Sequence, residues 1–244
     1  MSTPVIDARS LKPTGDAPPS GYKRIYVWQF PVRLFHWVTA ISIVLLCATG
    51  FLIGHPLHAF YAQQAYQQYW FGWLRFIHFA SASAVIAVSG LRLYWAFAGN
   101  HYATWRNFLP LTRAQWRGMW DLTLVEVLQI KKSGRYHVGH NIVAATSYFF
   151  LFLAFLFQTV TGLALYSSMS TLRLTHIFDW IVPLFGGDAN VRFWHHAVLW
   201  IFVLFIVVHV YLVFYDDYVE GGGEMSAMVS GWKFKRLNPE EREK

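Results

Sequence analysis

Charged residues and cysteine are both scarce in this chain, and each scarcity excludes a class of protein. Only 14% of the 244 residues are charged, whereas soluble domains carry about a quarter. Hydrophobic residues make up 55% and aromatic residues 19%, which is the composition of a membrane protein. The single cysteine, Cys47, excludes an intrachain disulfide framework and a cysteine-ligated metal site.

The N-terminal region lacks the features of a signal peptide. Residues 1–21 are rich in Pro, Ser, Thr and Gly, and they contain no apolar stretch followed by a small-residue cleavage site. We therefore expect residues 1–24 to form an uncleaved, disordered cytoplasmic tail.

Four apolar windows are long enough to cross a bilayer, whose hydrocarbon layer takes about 20 apolar helical residues. A soluble helical core is the alternative, but the run LWIFVLFIVVHVYLVF is too uniform for one face of an amphipathic helix. The sequence predicts an all-α integral membrane protein with a four-transmembrane-helix bundle over residues 25–220 and a cytoplasmic C-terminal tail over 221–244. The predicted spans are 34–54, 71–98, 142–166 and 194–215.

Basic residues predict how the bundle is oriented. They concentrate before the first span, between the second and third spans, and after the fourth, while the opposite side has only Arg75, Arg173 and Arg192. Because cytoplasmic loops carry an excess of Lys and Arg, we expect both termini in the cytoplasm and the chain in the inner membrane. This topology accounts for the formal net charge of +7, so the charge does not require a nucleic-acid partner.

Histidines within the spans are candidate functional residues, because an ionisable side chain inside a bilayer is costly. His195 and His209 are 14 residues apart, which leaves them roughly 40° apart on one helical face and about 21 Å apart along the axis. His196 would point to nearly the opposite side, so the spacing favours His195 as the partner of His209.

Depth in the membrane pairs histidines of different spans. The first span enters from the cytoplasm and the fourth span ends there, which brings His36 and His209 to a similar level. The second span enters from the other side, which brings His78 level with His195. The antiparallel spans therefore predict one histidine pair near each surface.

Two histidine pairs suit two b-type haems, each iron taking an imidazole from either side. A tetrahedral zinc site needs four ligands around one point, which a separation of about 21 Å excludes. An iron with both axial positions filled has no open site for oxygen or substrate and transfers single electrons. For any one histidine, a hydrogen bond to a neighbouring helix is the alternative.

Small residues and arginines near these histidines have two interpretations. Small side chains admit the macrocycles or serve ordinary helix packing; they are Ala48, Gly50, Gly162 and residues 80–84. Arg75 lies one turn before His78 and is a candidate counter-charge for a haem propionate. For Arg33 and Arg92 we expect snorkelling to the interface.

A set of motifs extends over almost everything from residue 25 to 232. They are RIYVWQFPVRLFHW, TGFLIGHP, FGWLRFIHFASA, RLYWAFAGNHYA, VGHN, TGLALY, WHHAVLW and VVHVY. In these motifs the chain closely resembles the b-type cytochrome subunit of membrane-bound uptake NiFe hydrogenases. It departs from that family at AVLW after WHH and at YDDY in 215–218.

This resemblance implies a function. The subunit would anchor the hydrogenase small and large subunits on the periplasmic face and carry electrons from the small subunit to quinone. It would be an electron-transfer component without a hydrogen-activating site of its own. The resemblance also implies two b haems, with axial ligands at His36, His78, His195 and His209, in agreement with the geometric assignment.

Three further segments have candidate roles. Residues 112–132 predict an amphipathic helix that lies in the interface or covers the bundle. The aromatic, apolar segment 167–192 is expected to dock the electron-donating subunit. In the GHN motif, His140 and Asn141 are candidates for binding a quinone carbonyl and supplying protons, while N-capping of the third span by Asn141 is the alternative.

Two alternative functions stay open at this point. One is the cytochrome of another quinone-linked oxidoreductase, such as a formate dehydrogenase, a thiosulfate reductase or a stand-alone b561 type, which the co-purifying subunits would distinguish. The other is a haem-free membrane anchor or transporter, which a colourless purified protein would indicate.

Overall fold

Four long helices dominate the structure, a computed structural model that describes residues 22–56, 69–100, 103–104, 142–220 and 223–236. Shorter elements connect the third and fourth long helices and flank the bundle at both chain ends. In chain order the elements are β1 (Tyr22–Tyr26), α1 (Phe30–Gly54), α2 (Trp70–Ala98), α3 (Ile142–Ser167), a 3-10 helix (Thr175–Phe178), α4 (Ile181–Leu184), α5 (Asp188–Glu220), α6 (Glu224–Ser230) and β2 (Trp232–Arg236).

The prediction of four transmembrane spans is confirmed. The segments with the length and hydropathy to cross a membrane are Phe30–Gly54, Trp70–Ala98, Ser147–Ser167 and Asp188–Tyr215. A helix of 25 residues is roughly 37 Å long, more than the roughly 30 Å hydrocarbon layer. Large apolar side chains such as Phe97 and Leu204 are 70% and 66% exposed, which suits a surface that faces lipid.

Hydrogen bonds connect the start of α1 to the end of α2. A proline in the first turn, Pro31, suits the helix start because its fixed φ angle is already helical. The Gln29 side-chain oxygen accepts hydrogen bonds from Trp95 Nε1 at 2.9 Å and from the Asn100 backbone N–H at 3.0 Å. These bonds fix the position of α1 against α2, so that the two helices pack along each other.

Helix α5 begins six residues before the predicted fourth span. Its first turn contains Asp188, whose carboxylate bonds Arg192 Nε at 2.6 Å. An acidic residue is favourable at a helix N-terminus because of the helix dipole. Hydropathy alone missed this turn, since the residues that start the helix are partly polar.

A two-stranded antiparallel sheet corrects the prediction of an all-helical chain. Strand β1 pairs with β2 in a register that places Tyr22 opposite Arg236 and Tyr26 opposite Trp232. The Arg24 guanidinium lies 4.4 Å from the centre of the Trp232 ring. The pairing joins residues about two hundred positions apart, which local sequence patterns do not reveal.

The sheet and α6 together form a unit that we call the terminal cap. Its buried core consists of Val27, Trp28, Val32, Ala103 and Ala227. Lys233 is 2% exposed and is paired with the Glu224 carboxylate, as a buried charge requires. The cap is attached to α1 through a hydrogen bond from Trp37 Nε1 to the Met228 carbonyl at 2.9 Å.

The packing of the four long helices positions the histidines. Helix α1 packs along α2, α3 packs along α5, and α1 also contacts α5. His36 and His209 lie toward the terminal cap and are called the cap-side pair. His78 and His195 lie toward the opposite end and are called the distal pair.

Candidate functional site

The cap-side pair brings one imidazole from α1 against one from α5. The ring centres of His36 and His209 are 6.3 Å apart, with planes inclined by 53°. Metal–imidazole bonds are about 2 Å long and a ring centre lies roughly 1 Å beyond the nitrogen, so two imidazoles across one metal have centres roughly 6 Å apart. The observed spacing fits two imidazoles that would hold one metal between them.

The surroundings of the cap-side pair also fit a metal-bound group. His36 Nδ1 is buried and has no hydrogen-bond partner among the described residues. The His209 ring stacks on Phe205, with centres 5.2 Å apart and planes inclined by 10°. The stacking fixes the orientation of His209, and the buried, unpartnered nitrogen of His36 fits a histidine that would help to hold a metal-bound group.

The distal histidine of α2 is held by a threonine of α1. The Thr49 hydroxyl lies 2.9 Å from His78 Nδ1 and 2.6 Å from the Leu45 carbonyl. Because the hydroxyl donates its one proton to the carbonyl, the imidazole Nδ1–H must donate to the hydroxyl oxygen. His78 Nε2 is then the nitrogen with a lone pair available for a metal.

The distal histidine of α5 has the same arrangement with α3. The Thr161 hydroxyl lies 2.8 Å from His195 Nδ1 and 2.7 Å from the Phe157 carbonyl, to which it donates. The next residue, Gly162, leaves space beside the ring, because it has no Cβ. A Cβ at this position would lie 3.2 Å from His195 Cε1. At Gly50, which follows Thr49, a Cβ would lie 3.4 Å from the corresponding ring atom of His78.

His196 makes different hydrogen bonds from its neighbour His195. Its Nε2 lies 3.0 Å from the Gly50 carbonyl of α1, and since a carbonyl only accepts, this nitrogen carries the proton. The ring also fills the space beside Gly54, where a Cβ would lie 1.9 Å from Nε2. His196 is therefore a contact between α5 and α1, whereas His195 has its Nε2 available.

A 14-residue spacing recurs on all four long helices, and only its α5 instance joins two histidines. Residues 14 apart share a helical face at levels about 21 Å apart. In addition to His195 and His209, the pairs are His36 with Gly50, His78 with Arg92, and Tyr148 with Gly162. Arg92 and Tyr148 thus fall at the cap-side level, on the faces that carry distal-site residues.

Two of these positions are further candidates at the cap-side level. Arg92 is half-buried on the face of α2 that carries His78, and its expected snorkelling to the interface stays a prediction. The Tyr148 ring lies 6.3 Å from Phe205, which itself stacks on His209. The signal that would have found both is the spacing itself, applied to every span and not only to the fourth.

Other predicted residues lie apart from the two pairs or outside the described residues. Arg75 is exposed, and its guanidinium lies 5.0 Å from the Phe71 ring centre, so its contact with a haem propionate stays a prediction. Arg33 donates a hydrogen bond to the Val229 carbonyl in the terminal cap. His140, Asn141 and the amphipathic segment 112–132 lie outside the described residues.

The segment between α3 and α5 exposes a cluster of apolar side chains beyond the ends of the helices. In this segment His176 Nδ1 lies 3.0 Å from the Asp179 carboxylate, and Ser167 together with His176 holds the pKa of Asp179 below its ordinary value. We call this cluster the distal apolar surface. It consists of Leu172, Leu174, Ile177, Trp180 and Leu184, which are each 60% to 74% exposed.

Comparisons with known proteins found one matching family model and several similar proteins. Residues 27–231 match the family model described as prokaryotic cytochrome b561. A probable Ni/Fe-hydrogenase B-type cytochrome subunit of Azotobacter vinelandii is 39% identical over 93% of this chain and 97% of its own length. A protein of the same description from Cupriavidus necator is 36% identical over 94% of this chain and 95% of its own length. The probable Ni/Fe-hydrogenase 1 B-type cytochrome subunit of Escherichia coli K12 is 32% identical over 89% of this chain and 95% of its own length.

Proposed function

We propose, since the chain belongs to the prokaryotic cytochrome b561 family, that it is a dihaem cytochrome b that carries electrons from a periplasmic NiFe hydrogenase to quinone. The observation that supports this most directly is the placement of two histidine pairs at two levels of one bundle. The cap-side ring centres are 6.3 Å apart. Both distal histidines have Nδ1 engaged by a threonine and Nε2 available.

In this proposal, His36 and His209 hold the cap-side haem, and His78 and His195 hold the distal haem. A b haem held by two histidines would supply one-electron transfer and would leave no open site for substrate. The chain's own contribution is to fix four imidazoles on rigid helices and to leave room beside them at Gly50 and Gly162. Histidines within one membrane bundle are functional residues by default, because the bilayer makes them costly.

The distribution of charge and apolar surface supports the proposed direction of transfer. The basic residues flank the cap-side ends of the helices, which the positive-inside rule assigns to the cytoplasm. The distal end would then face the periplasm, where the distal apolar surface is available for a hydrogenase small subunit and, through it, the large subunit. Electrons would enter at the distal level and leave at the cap-side level.

Quinone is proposed to take up the electrons near the cytoplasmic surface. His140 and Asn141, which lie just before α3 begins at Ile142, remain the candidates for binding its carbonyl and supplying protons. A histidine suits proton delivery because its unperturbed pKa is about 6.5. The relatives' names refer to a hydrogenase cytochrome subunit and do not mention quinone, so this assignment rests on the resemblance of the motifs.

The experiment is a reduced-minus-oxidised visible spectrum with haem quantitation on the purified chain and two variants. We expect two b haems in the parent protein, loss of one in His195→Ala, and retention of both in the matched neighbour variant His196→Ala. Loss of haem in His196→Ala alone would reverse the ligand assignment. A parent protein without haem would contradict the proposed function and favour a membrane anchor or transporter.

A further inference from the structure

The two distal histidines are supported by the same two-residue unit on two different helices. Thr49–Gly50 of α1 contacts His78 of α2, and Thr161–Gly162 of α3 contacts His195 of α5. These are the two helix pairs that pack along each other in the bundle. The two halves of the distal site are therefore built alike, although they lie on four separate helices.

The hydrogen bonds of the two threonines are directional. A helical threonine ordinarily bonds the carbonyl four residues earlier, and both hydroxyls do so, at 2.6 Å for Thr49 and 2.7 Å for Thr161. The second contact of each hydroxyl, at 2.9 and 2.8 Å, can then only be accepted from an imidazole Nδ1–H. Both threonines are buried, at 5% and 1% exposure, so water does not compete for these bonds.

This bond selects one tautomer of each imidazole. A neutral histidine carries its proton on either ring nitrogen, and the nitrogen without the proton is the one that can bind a metal. With Nδ1–H donated to threonine, Nε2 keeps its lone pair. Histidines that bind metals almost always donate the other N–H to an acceptor, which fixes the ring and makes the ligand more basic.

We propose that Thr49 and Thr161 are positioning residues that hold His78 and His195 as Nδ1–H tautomers and direct both Nε2 atoms toward one iron. The inference rests on the proposed function, because it concerns the haem assigned to the distal pair. The cap-side pair has no equivalent support among the described residues, since His36 Nδ1 lacks a hydrogen-bond partner there. The threonines therefore act on one of the two haems.

The test compares Thr49→Val and Thr161→Val with Thr49→Ser and Thr161→Ser in the full chain, purified with its co-purifying subunits. Valine keeps the shape of threonine and removes the hydroxyl, while serine keeps the hydroxyl. The readouts are haem per chain, the midpoint potential of each haem, and the low-temperature electron paramagnetic resonance spectrum of the oxidised protein. These readouts do not depend on hydrogen oxidation.

We expect the valine variants to bind the distal haem about 10- to 100-fold more weakly, the usual cost of losing a partner of a ligating histidine. Where the distal haem is retained, its midpoint potential should rise, because a less basic imidazole stabilises ferric iron less. Its spectrum should also change, because the signals of such haems depend on the orientation of the imidazole planes. The serine variants should restore parent values, and the cap-side haem should be unchanged in all four.

Thr39→Val is the matched control on α1, because the buried Thr39 hydroxyl has no hydrogen-bond partner among the described residues. The distal haem should be unchanged in this variant. Parent-like potentials and spectra in both Thr49→Val and Thr161→Val would overturn the inference while leaving the dihaem function intact, and so would equal losses in the serine and valine variants. A parent protein without a distal haem would overturn the proposed function, and the inference with it.

Discussion

At the residue scale, the distal site depends on side chains that are absent as much as on those that are present. Gly162 lies beside Cε1 of the His195 ring, and the Thr161 hydroxyl holds the same ring by its hydrogen bond with Nδ1. A ring held in this way cannot easily move away from an added methyl group. Close-packed interiors respond to a change of even one methyl group, so Gly162 is expected to be sensitive to substitution.

Gly162→Ala tests this expectation. The added Cβ would lie 3.2 Å from His195 Cε1, and overpacking of this kind typically costs about 1–3 kcal/mol. We expect haem quantitation to give less than two haems per chain, with the loss confined to the distal haem. Gly90→Ala on α2 is the control, because a Cβ there meets nothing within 4 Å.

Gly90→Ala should keep both haems and stabilise α2 slightly, since alanine is the better helix former by about 0.5–1 kcal/mol. Equal haem loss in Gly162→Ala and Gly90→Ala would contradict the close contact at His195. Full haem content in Gly162→Ala, with an unchanged distal spectrum, would show that the ring moves freely despite Thr161.

The sequence singles out the four candidate ligands but not the residues that contact them. Histidines within spans are conspicuous because they are costly there, and the 14-residue spacing on α5 selects His195 over His196. Thr49 and Thr161 give no such signal, because threonines within helices usually bond their own backbone. Their role depends on which helices pack together, and single spans do not contain that information.

At the element scale, the terminal cap depends on a tight turn between α6 and β2. Gly231 has φ +89°, in the left-handed region that glycine adopts without steric cost. A Cβ at this position would lie 2.5 Å from the Tyr26 ring and 2.7 Å from the Trp28 carbonyl. The turn therefore has no room for a side chain, and the sheet requires glycine there.

Gly231→Ala should weaken the cap, because it combines the clash with backbone strain of about 1–3 kcal/mol. Trypsin should then cleave within 233–236 faster than in the parent protein, where Lys233 is 2% exposed. Gly187→Ala is the control, because Gly187 also has a positive φ angle, +123°, but a Cβ there meets nothing within 4 Å. This variant adds backbone strain in a turn outside the cap and should leave cleavage of the cap unchanged. Parent-like cleavage in Gly231→Ala would contradict this description of the turn.

The elements differ in how far the sequence predicts them. The long apolar helices could be predicted because their length and hydropathy are local properties. The pairing of β1 with β2 could not, because YKRIY and WKFKR are short, charged segments at opposite ends of the chain. Contacts between the strands, such as that of Arg24 with the Trp232 ring, form only because α1 and α5 bring the two chain ends together.

At the scale of the whole molecule, the two ends of the bundle are chemically different. One end carries the terminal cap, in which the buried Lys233 is paired with Glu224. The other end carries the distal apolar surface, where Trp180 is 61% exposed. Exposed apolar patches outside the bilayer are typical of protein interaction sites, so the distal end is the expected side for a partner.

Replacing Phe178 and Trp180 together by serine tests this assignment. Aromatic residues commonly provide much of the binding energy at interfaces, and losing one such anchor costs about 2 kcal/mol or more. We therefore expect at least a tenfold loss of co-purified hydrogenase subunits, with both haems retained. Tyr218→Ser is the control, because Tyr218 is an aromatic residue 91% exposed at the cap-side end of α5.

Tyr218→Ser should keep the full amount of co-purified partner if the hydrogenase binds the distal end. Loss of partner in Tyr218→Ser, with none in the Phe178 and Trp180 variant, would place the hydrogenase at the cap-side end. That result would reverse the proposed direction of electron flow, since entry would then be nearest His36 and His209. The comparison therefore tests the orientation of the transfer path and not only the location of a contact.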